Sequence, residues 1–351
     1  MVLGANLAEE LCCVLFRIQP SYRRRSLPPT PARPWLKLGI YAGILLAAGV
    51  TLRFVAREAL ASAVALAPNS DRAVAMPGAL RMPAELVKLG AFTVQTPVGP
   101  PAATLVSWVV EPRGPQSKGT VVLLHGVRMD KRSLAPMGAA LAAEGYRAVL
   151  VDLRGHGESS GRYLTYGSVE VRDLSSVLDA LRDRGLTLGC TGVYGFSYGG
   201  AVALELSAHD PRVAAVVAVS AFSTLREVVD DYRRKYLPAA LSSIIPSAWF
   251  QGAVDEAGRI AAFDPDRIAP LRAVGKSAAA LLLIHGTADT QVPLRHSQAL
   301  FGAATGNARL VTVAGAEHAA MPGDRTGVVR RETLAWFDQW LADGACRPSP
   351  L

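Results

Sequence analysis

Residues 195–200 read Gly-Phe-Ser-Tyr-Gly-Gly, and they join the apolar run at 191–194 to a helix-forming stretch that starts at Ala201. This pattern predicts a tight turn between a strand and a helix, with Ser197 at its apex. Such a turn leaves no room for side chains two positions before and after the serine, and it projects the hydroxyl outward. Ser197 is therefore a candidate nucleophile. In a chain with 32 glycines the pattern alone is weak evidence, so the rest of the sequence has to support it.

From about residue 91 the chain alternates short apolar runs with helical patterns. This alternation predicts an α/β fold with a mostly parallel sheet and helices on both faces. The predicted strands are 91–96, 104–110, 120–124, 148–151, 189–194, 213–219, 279–284 and 309–313. The first two are expected to form an antiparallel pair, and the other six read as buried strands. The predicted helices lie near 132–144, 169–184, 198–208, 294–304 and 325–342.

One connection is much longer than the others. About sixty residues separate the strand that ends near Ser220 from the strand that starts near Ala279, and they contain several helical patterns. An insertion of this length in a compact fold usually covers a site. The segment at about 221–278 is therefore predicted to be a lid, with ordinary packing helices as the alternative.

A serine hydroxyl is a poor nucleophile at neutral pH, so it needs a base within hydrogen-bond reach and a carboxylate to orient that base. Asp289 lies on the loop just past the predicted strand 279–284, and His318 lies on the loop just past the predicted strand 309–313. Because the carboxyl ends of parallel strands meet at one edge of a sheet, both are expected to lie near Ser197. No group of His, Asp and Glu has metal-ligand spacing, so neither a metal nor another cofactor is predicted.

Four further stretches complete a known pattern. They are Leu123-Leu124-His125-Gly126, the run Asp-Leu-Arg-Gly-His-Gly-Glu-Ser at 152–159, His285-Gly286-x-x-Asp289-x-x-Val292-Pro293, and Gly315-x-x-His318. With the turn at Ser197 they resemble the α/β-hydrolase superfamily over about residues 91–343, in particular bacterial serine carboxylesterases and lysophospholipase-like hydrolases. The resemblance implies an eight-stranded α/β-hydrolase sheet with a helical lid.

The resemblance also implies the roles of the site residues. Ser197 would be the nucleophile, His318 the general base and then acid, and Asp289 the orienting carboxylate. The backbone N–H groups of Val127 and Tyr198 would form the oxyanion hole. The implied activity is hydrolysis of carboxylic esters or thioesters through an acyl-enzyme, and the lid and the apolar N-terminal segment favour lipid-like or apolar acyl substrates. A peptidase or amidase with the same triad and a non-catalytic binding protein of the same fold remain alternatives.

Three basic residues, Arg128, Lys131 and Arg132, follow the oxyanion loop closely enough to border the pocket. They could select a substrate with a carboxylate or phosphate, or they could simply be the solvated start of a helix. Among the remaining histidines, the resemblance implies structural roles for His125 and His285.

The N-terminal segment contains an uncharged run at 38–52, bounded by Lys37 and Arg53. Extended to residue 56, it is predicted to be a transmembrane signal anchor that follows a basic, proline-rich cytoplasmic arm at 1–37. This arrangement would place the hydrolase domain, residues 91–345, on the extracytoplasmic side, after a linker at 57–90 and before a tail at 346–351. A cleaved signal with a secreted domain, and a hydrophobic helix of a cytoplasmic protein, are the alternatives.

The formal net charge of +8 is unevenly distributed. Residues 1–60 contain eight Arg and Lys against three Glu, so most of the excess lies in the arm and the flank of the apolar segment. A nucleic-acid-binding domain would carry its positive charge on one face of the folded part. The expected partners are therefore a small-molecule ester and a membrane contacted through residues 38–56, and not a nucleic acid.

Overall fold

The computed structural model describes residues 34–71, 74–114, 117–187 and 189–342. The predicted arm, except for residues 34–37, and the predicted tail at 346–351 lie outside the described residues. The chain forms two compact units that divide between Leu52 and Arg53. In the first unit the described residues are helical, and the second unit contains the sheet and the candidate site.

Eight strands form one sheet in the order β1-β2-β4-β3-β5-β6-β7-β8. They are β1 (Phe92–Val98), β2 (Ala103–Val110), β3 (Gly119–Leu124), β4 (Tyr146–Val151), β5 (Thr191–Phe196), β6 (Val213–Val219), β7 (Ala280–Gly286) and β8 (Ala308–Val313). The predicted eight-stranded sheet is thus confirmed. It is, however, mixed: β2 runs antiparallel to both β1 and β4, and the other neighbours are parallel. The short β1–β2 connection can only join antiparallel strands, and β2 then pairs with β4 in that direction.

The helices connect these strands and cover the sheet. They are α1 (Pro34–Ala65), α2 (Ala84–Lys88), α3 (Ala135–Ala143), α4 (Glu170–Asp183), α5 (Tyr198–His209), α6 (Leu225–Tyr236), α7 (Ala239–Ile244), α8 (Ser247–Ala261), α9 (Pro270–Val274), α10 (Arg295–Ala303) and α11 (Val328–Leu341). Short 3₁₀ turns lie at Lys131–Leu134, Pro265–Arg267 and His318–Gly323.

The sheet has a hydrophobic core on each face. Neighbouring strand residues point to opposite faces, so Leu124 packs in one core and Leu123 in the other. The first core includes Leu174 of α4 and Val202 of α5, and the second includes Phe337 of α11. Because both faces are covered, the strands β3 to β7 are buried along their whole length, whereas the edge strands β1 and β8 are partly exposed.

A third apolar cluster lies among the helices of the stretch predicted to be the lid. Phe222, Leu225 and Val254 are buried there together with Ala61 and Ala65 from the end of α1. The last turns of α1 therefore pack against helices of the predicted lid, which the structure divides into α6, α7, α8 and α9.

The transmembrane helix predicted at 38–56 is not found. Within the described ranges, no helix combines the length and the apolar character needed to cross a bilayer. Residues 38–56 form the middle of α1, where the uncharged run of fifteen residues ends at Arg53. Arg57 and Glu58 come directly after residue 56. The Arg57 guanidinium donates a hydrogen bond to the Gly252 carbonyl at 2.7 Å.

Candidate active site

The turn between β5 and α5 has the strained geometry that the sequence predicts. Ser197 adopts φ 54° and ψ −115°, in the positive-φ region that side chains disfavour, and its N–H donates to the Val219 carbonyl at 2.7 Å. A Cβ atom on Gly195 would lie 2.2 Å from the Gly199 oxygen, and one on Gly199 would lie 2.4 Å from the Leu124 oxygen. Neither glycine can be replaced without moving the backbone, so the sequence around Ser197 is dictated by this turn.

Asp289, His318 and Ser197 are joined by hydrogen bonds at the carboxyl edge of the sheet. His318 Nε2 lies 2.9 Å from Ser197 Oγ, and His318 Nδ1 lies 2.6 Å from Asp289 Oδ2. A carboxylate only accepts, so Nδ1 carries the proton that is donated to Asp289, and Nε2 is free to accept the serine proton. The three side chains that the sequence proposes separately are thus brought into one chain of contacts.

All three residues are withdrawn from solvent: Ser197 is 4%, Asp289 5% and His318 7% exposed. Burial opposes ionisation of Asp289, but hydrogen bonds from His318 and from the Val292 N–H (2.8 Å) outweigh it, and the pKa of Asp289 is lowered below its ordinary value. The carboxylate is therefore ionised at neutral pH and can stabilise a positively charged His318 during a reaction.

His285 positions the loop that carries Asp289. Its Nε2 donates to the Val292 carbonyl at 2.7 Å, and its Nδ1 accepts from Ser297 Oγ at 2.6 Å. Burial lowers the pKa of His285, so the ring stays neutral and keeps this bonding pattern. Its contacts agree with the structural role that the resemblance implies.

Val127 and Tyr198, whose N–H groups are the two predicted oxyanion donors, line the same cavity as Ser197. Tyr198 is the first residue of α5, so its N–H has no acceptor within the helix. On the other loop, the Gly126 carbonyl accepts from the Met129 N–H at 3.1 Å, and the Arg128 N–H donates to His156 Nε2 at 3.2 Å. Val127 lies between Gly126 and Arg128 in the sequence, and its N–H bonds to no acceptor among the described residues. The arrangement can bind an oxygen that becomes negatively charged.

Two buried histidines hold the oxyanion loop. His125 Nδ1 donates to the Gly126 carbonyl at 2.8 Å and its Nε2 accepts from the Leu153 N–H at 3.1 Å, while His156 Nδ1 donates to the Arg154 carbonyl at 2.9 Å. Burial lowers the pKa of His125 to about 4 and that of His156 to about 3, so both rings are neutral. The sequence gives no sign that His156 accepts a backbone N–H of this loop, because the contact joins residues 28 positions apart.

Ser197 opens into a cavity of about 250 Å³ with a mainly apolar lining. One wall comes from the end of α1 through Leu60 and Val64, and another comes from the first lid helix, α6, through Val228 and Tyr232. Larger open cavities exist elsewhere on the described surface, but Ser197 lines none of them.

The α1 wall is fixed by hydrogen bonds to the segment before α4. The Tyr166 hydroxyl donates to the Val64 carbonyl at 2.8 Å, the Leu164 N–H donates to the Ala65 carbonyl at 2.9 Å, and the Ala67 N–H donates to the Arg162 carbonyl at 3.0 Å. Sequence reasoning gave residues 57–90 no place in the site. Their small and apolar residues carry no signal of a pocket wall.

The three basic residues after the oxyanion loop have different environments. Lys131 is fully buried, and its ammonium group pairs with both Asp152 and Glu158, so it is a structural residue. Arg132 pairs with the neighbouring Asp130, with 2.6 Å between Nη2 and Oδ2. Arg128 alone of the three lines the cavity at Ser197.

Two bacterial proteins match part of the chain. YfhR of Escherichia coli K12 is 26% identical over 223 residues, which cover 62% of this chain and 69% of YfhR. YqkD of Bacillus subtilis is 25% identical over 202 residues, which cover 57% of this chain and 65% of YqkD. Both carry the description "uncharacterized protein".

Solved structures show the same fold at low identity. An esterase of Pyrococcus furiosus superposes with a TM-score of 0.60 at 21% identity, covering 77% of this chain and 99% of the esterase. A 2,6-dihydroxy-pseudo-oxynicotine hydrolase superposes with a TM-score of 0.55 at 21% identity, covering 74% and 71% of the two chains. At these identities the likeness establishes the architecture and leaves the substrate open.

The model of the alpha/beta hydrolase family matches residues 121–331. This range contains Ser197, Asp289 and His318, whereas the wall at the end of α1 lies outside it. The match, the sheet and the strained serine turn agree, and the chain belongs to the alpha/beta hydrolase family.

Proposed function

We propose that this protein is a serine hydrolase that cleaves carboxylic esters or thioesters through an acyl-enzyme intermediate. The observation that carries the proposal is the continuous chain of hydrogen bonds from Asp289 through His318 to Ser197. A serine that is merely structural would need neither a base at 2.9 Å nor a carboxylate behind that base.

The proposed reaction uses only groups of this site. As Ser197 Oγ attacks the carbonyl carbon, His318 Nε2 takes the hydroxyl proton. The carbonyl oxygen becomes an anion, which accepts hydrogen bonds from the N–H groups of Val127 and Tyr198. The C–O bond to the alcohol then breaks, and His318 gives its proton to the departing oxygen. A water molecule, deprotonated by His318, attacks the acyl-enzyme in the same way and releases the acid with Ser197 restored.

The cavity favours apolar groups of moderate size. A cavity of about 150 Å³ is known to bind benzene, so by proportion the 250 Å³ beside Ser197 holds an apolar group of roughly ten carbon atoms. Esters with acyl chains up to this length are the proposed substrates.

The direct test is hydrolysis of p-nitrophenyl butyrate and hexanoate by the full chain. Ser197→Ala should lower kcat by roughly 10⁴- to 10⁶-fold, because the attacking atom is lost. Ser168→Ala, at an exposed serine of a surface loop, is the control and should retain activity. Full activity in the Ser197→Ala protein would refute the proposal.

The same assay separates the remaining functions. A p-nitroanilide with the same acyl group reports amide cleavage, and faster turnover of the anilide than of the ester would favour a peptidase or amidase. A protein that hydrolyses neither class would favour a binding role on the same fold.

A further inference from the structure

One charged side chain lines the mainly apolar cavity at Ser197. Arg128 contributes to that lining, and no other charged residue does so among the described residues. Arg128 also lines a second, open cavity of about 500 Å³, which the end of α1 forms through residues such as Ser62 and Leu66. Arg128 thus stands between a largely enclosed apolar pocket and an open groove.

The backbone holds Arg128 at this boundary. It has φ 61°, in the left-handed region, and its N–H is bound by His156. It directly follows Val127, whose own N–H is proposed to bind the reacting oxygen. A group bound by the Arg128 side chain would therefore lie close to the scissile ester.

The charge of Arg128 is not neutralised within the described parts of the chain, where no carboxylate lies within ion-pair distance of it. Among the described residues, its guanidinium donates one hydrogen bond, to the Ala63 carbonyl at 3.5 Å. The neighbouring cations differ, because Lys131 and Arg132 both pair with carboxylates. A guanidinium presents a planar set of donors that fits a carboxylate or phosphate in two-point contact.

We infer that this site selects esters whose apolar acyl group occupies the enclosed pocket and whose alcohol portion carries a carboxylate or phosphate bound by Arg128. The inference rests on the proposed esterase function and names its substrate class. The acyl chain belongs in the pocket because that is where apolar surface is removed from water. The anionic alcohol belongs in the groove, where it remains partly hydrated and can leave after the first step.

The test compares matched esters on the full chain. Hexanoate esters of 4-hydroxybenzoate and of 4-hydroxybenzamide differ mainly in the charge of the leaving group, and a hexanoate ester of a phosphorylated hydroquinone supplies the phosphate arm. For each variant the ratio of kcat/KM between the charged and the neutral ester is measured. Arg128→Gln should lower that ratio about tenfold, and Arg128→Lys should lower it less, because a charge-assisted hydrogen bond is lost or weakened.

The control is Arg132→Gln, which removes a paired cation from the same loop and should leave the ratio unchanged. Added salt should lower the ratio for the wild type and hardly affect it for Arg128→Gln, because exposed charge pairs are screened.

An unchanged ratio in Arg128→Gln would overturn the inference. A second pair, p-nitrophenyl hexanoate and the p-nitrophenyl monoester of adipic acid, carries the charge on the acyl side. A preference that depends on Arg128 only in this pair would overturn the assignment of the anion to the alcohol. In either case, the proposed function stands if the wild type hydrolyses the neutral esters and the Ser197→Ala protein does not. If the Ser197→Ala protein hydrolyses the neutral esters as fast as the wild type, the proposed function itself is refuted.

Discussion

The loops that follow β5, β7 and β8 hold the hydrogen-bonded residues Ser197, His318 and Asp289, and α1 and α6 form walls of the cavity that Ser197 lines, but the two regions are held in different ways. Each proposed catalytic side chain sits just past a strand of the sheet, and hydrogen bonds such as that from the Val292 N–H to Asp289 hold it further. The wall consists of helix surfaces that pack through small and apolar side chains. The sheet edge should therefore determine how fast any ester reacts, and the wall should determine which ester is accepted.

The packing differs between the α1 end of the wall and the outer helices of the predicted lid. Ala61 and Ala65 of α1 are fully buried, whereas Tyr236 at the end of α6 is 65% exposed and Ile244 of α7 is 75% exposed. Fewer buried contacts mean lower local stability, so the outer lid helices are expected to open more readily than the sheet edge.

The largest effect should come from the sheet edge. Asp289→Asn should lower kcat about 10³- to 10⁴-fold, because an amide can stabilise the wrong tautomer of His318 and cannot balance its positive charge. The loss should be equal for p-nitrophenyl butyrate and hexanoate. Asp183→Asn, at an exposed position on α4, is the control. A loss that depends strongly on chain length would contradict the separation of the two regions.

The sheet edge should also be the acid-sensitive region. His125 and His156 have folded-state pKa values of about 4 and about 3, below the ordinary value of 6.5, because burial disfavours their charged form. As the pH falls, the unfolded chain therefore protonates these two histidines at a higher pH than the folded chain does. The free energy of unfolding consequently falls as the pH drops below about 6.5. At pH 5 each ring should lower the free energy of unfolding by about 2 kcal/mol relative to neutral pH.

Urea unfolding at pH 7.5 and pH 5 measures this loss. His156→Gln, whose amide oxygen can still accept the Arg128 N–H, should make the difference between the two pH values about 2 kcal/mol smaller. His209→Gln, at an exposed residue of α5, should leave the difference unchanged. If both variants behave like the wild type, the neutral buried state of His156 is wrong.

The smallest effect should come from the α1 wall and should concern selectivity. Val64→Trp places a large ring in the cavity beside Ser197, so kcat/KM for an octanoate ester should fall about tenfold relative to the acetate ester. Val55→Trp, on an exposed part of the same helix, is the matched control. If Val64→Trp leaves the chain-length profile unmoved, residue 64 does not bound the acyl site.

The positions of the three proposed catalytic residues could be predicted because each lies just past the end of its strand. Ser197, Asp289 and His318 are marked by local patterns, and parallel strands bring such positions to one edge. The direction of β2 beside β4 could not be predicted in the same way, because strand order depends on pairing between distant segments. Leu60 and Val64 were missed for the same reason.

The apolar part of α1 shows a second limit of sequence reasoning. A run of fifteen uncharged residues has the same composition in a helix that enters a bilayer and in one that does not. The structure adds that Arg57, which follows the predicted segment, bonds to Gly252, nearly two hundred residues away. Such a contact becomes visible only when the fold is known.

The most direct test of the central claim is the mass of the full chain after reaction with a fluorophosphonate, followed by peptide mapping. An activated serine in an oxyanion site reacts covalently with this probe, whereas an ordinary hydroxyl does not. We expect one adduct, on Ser197, that is absent in Ser197→Ala and forms far more slowly in His318→Ala. No adduct, or an adduct on another residue, would contradict the assignment of Ser197 as the nucleophile activated by His318 and Asp289.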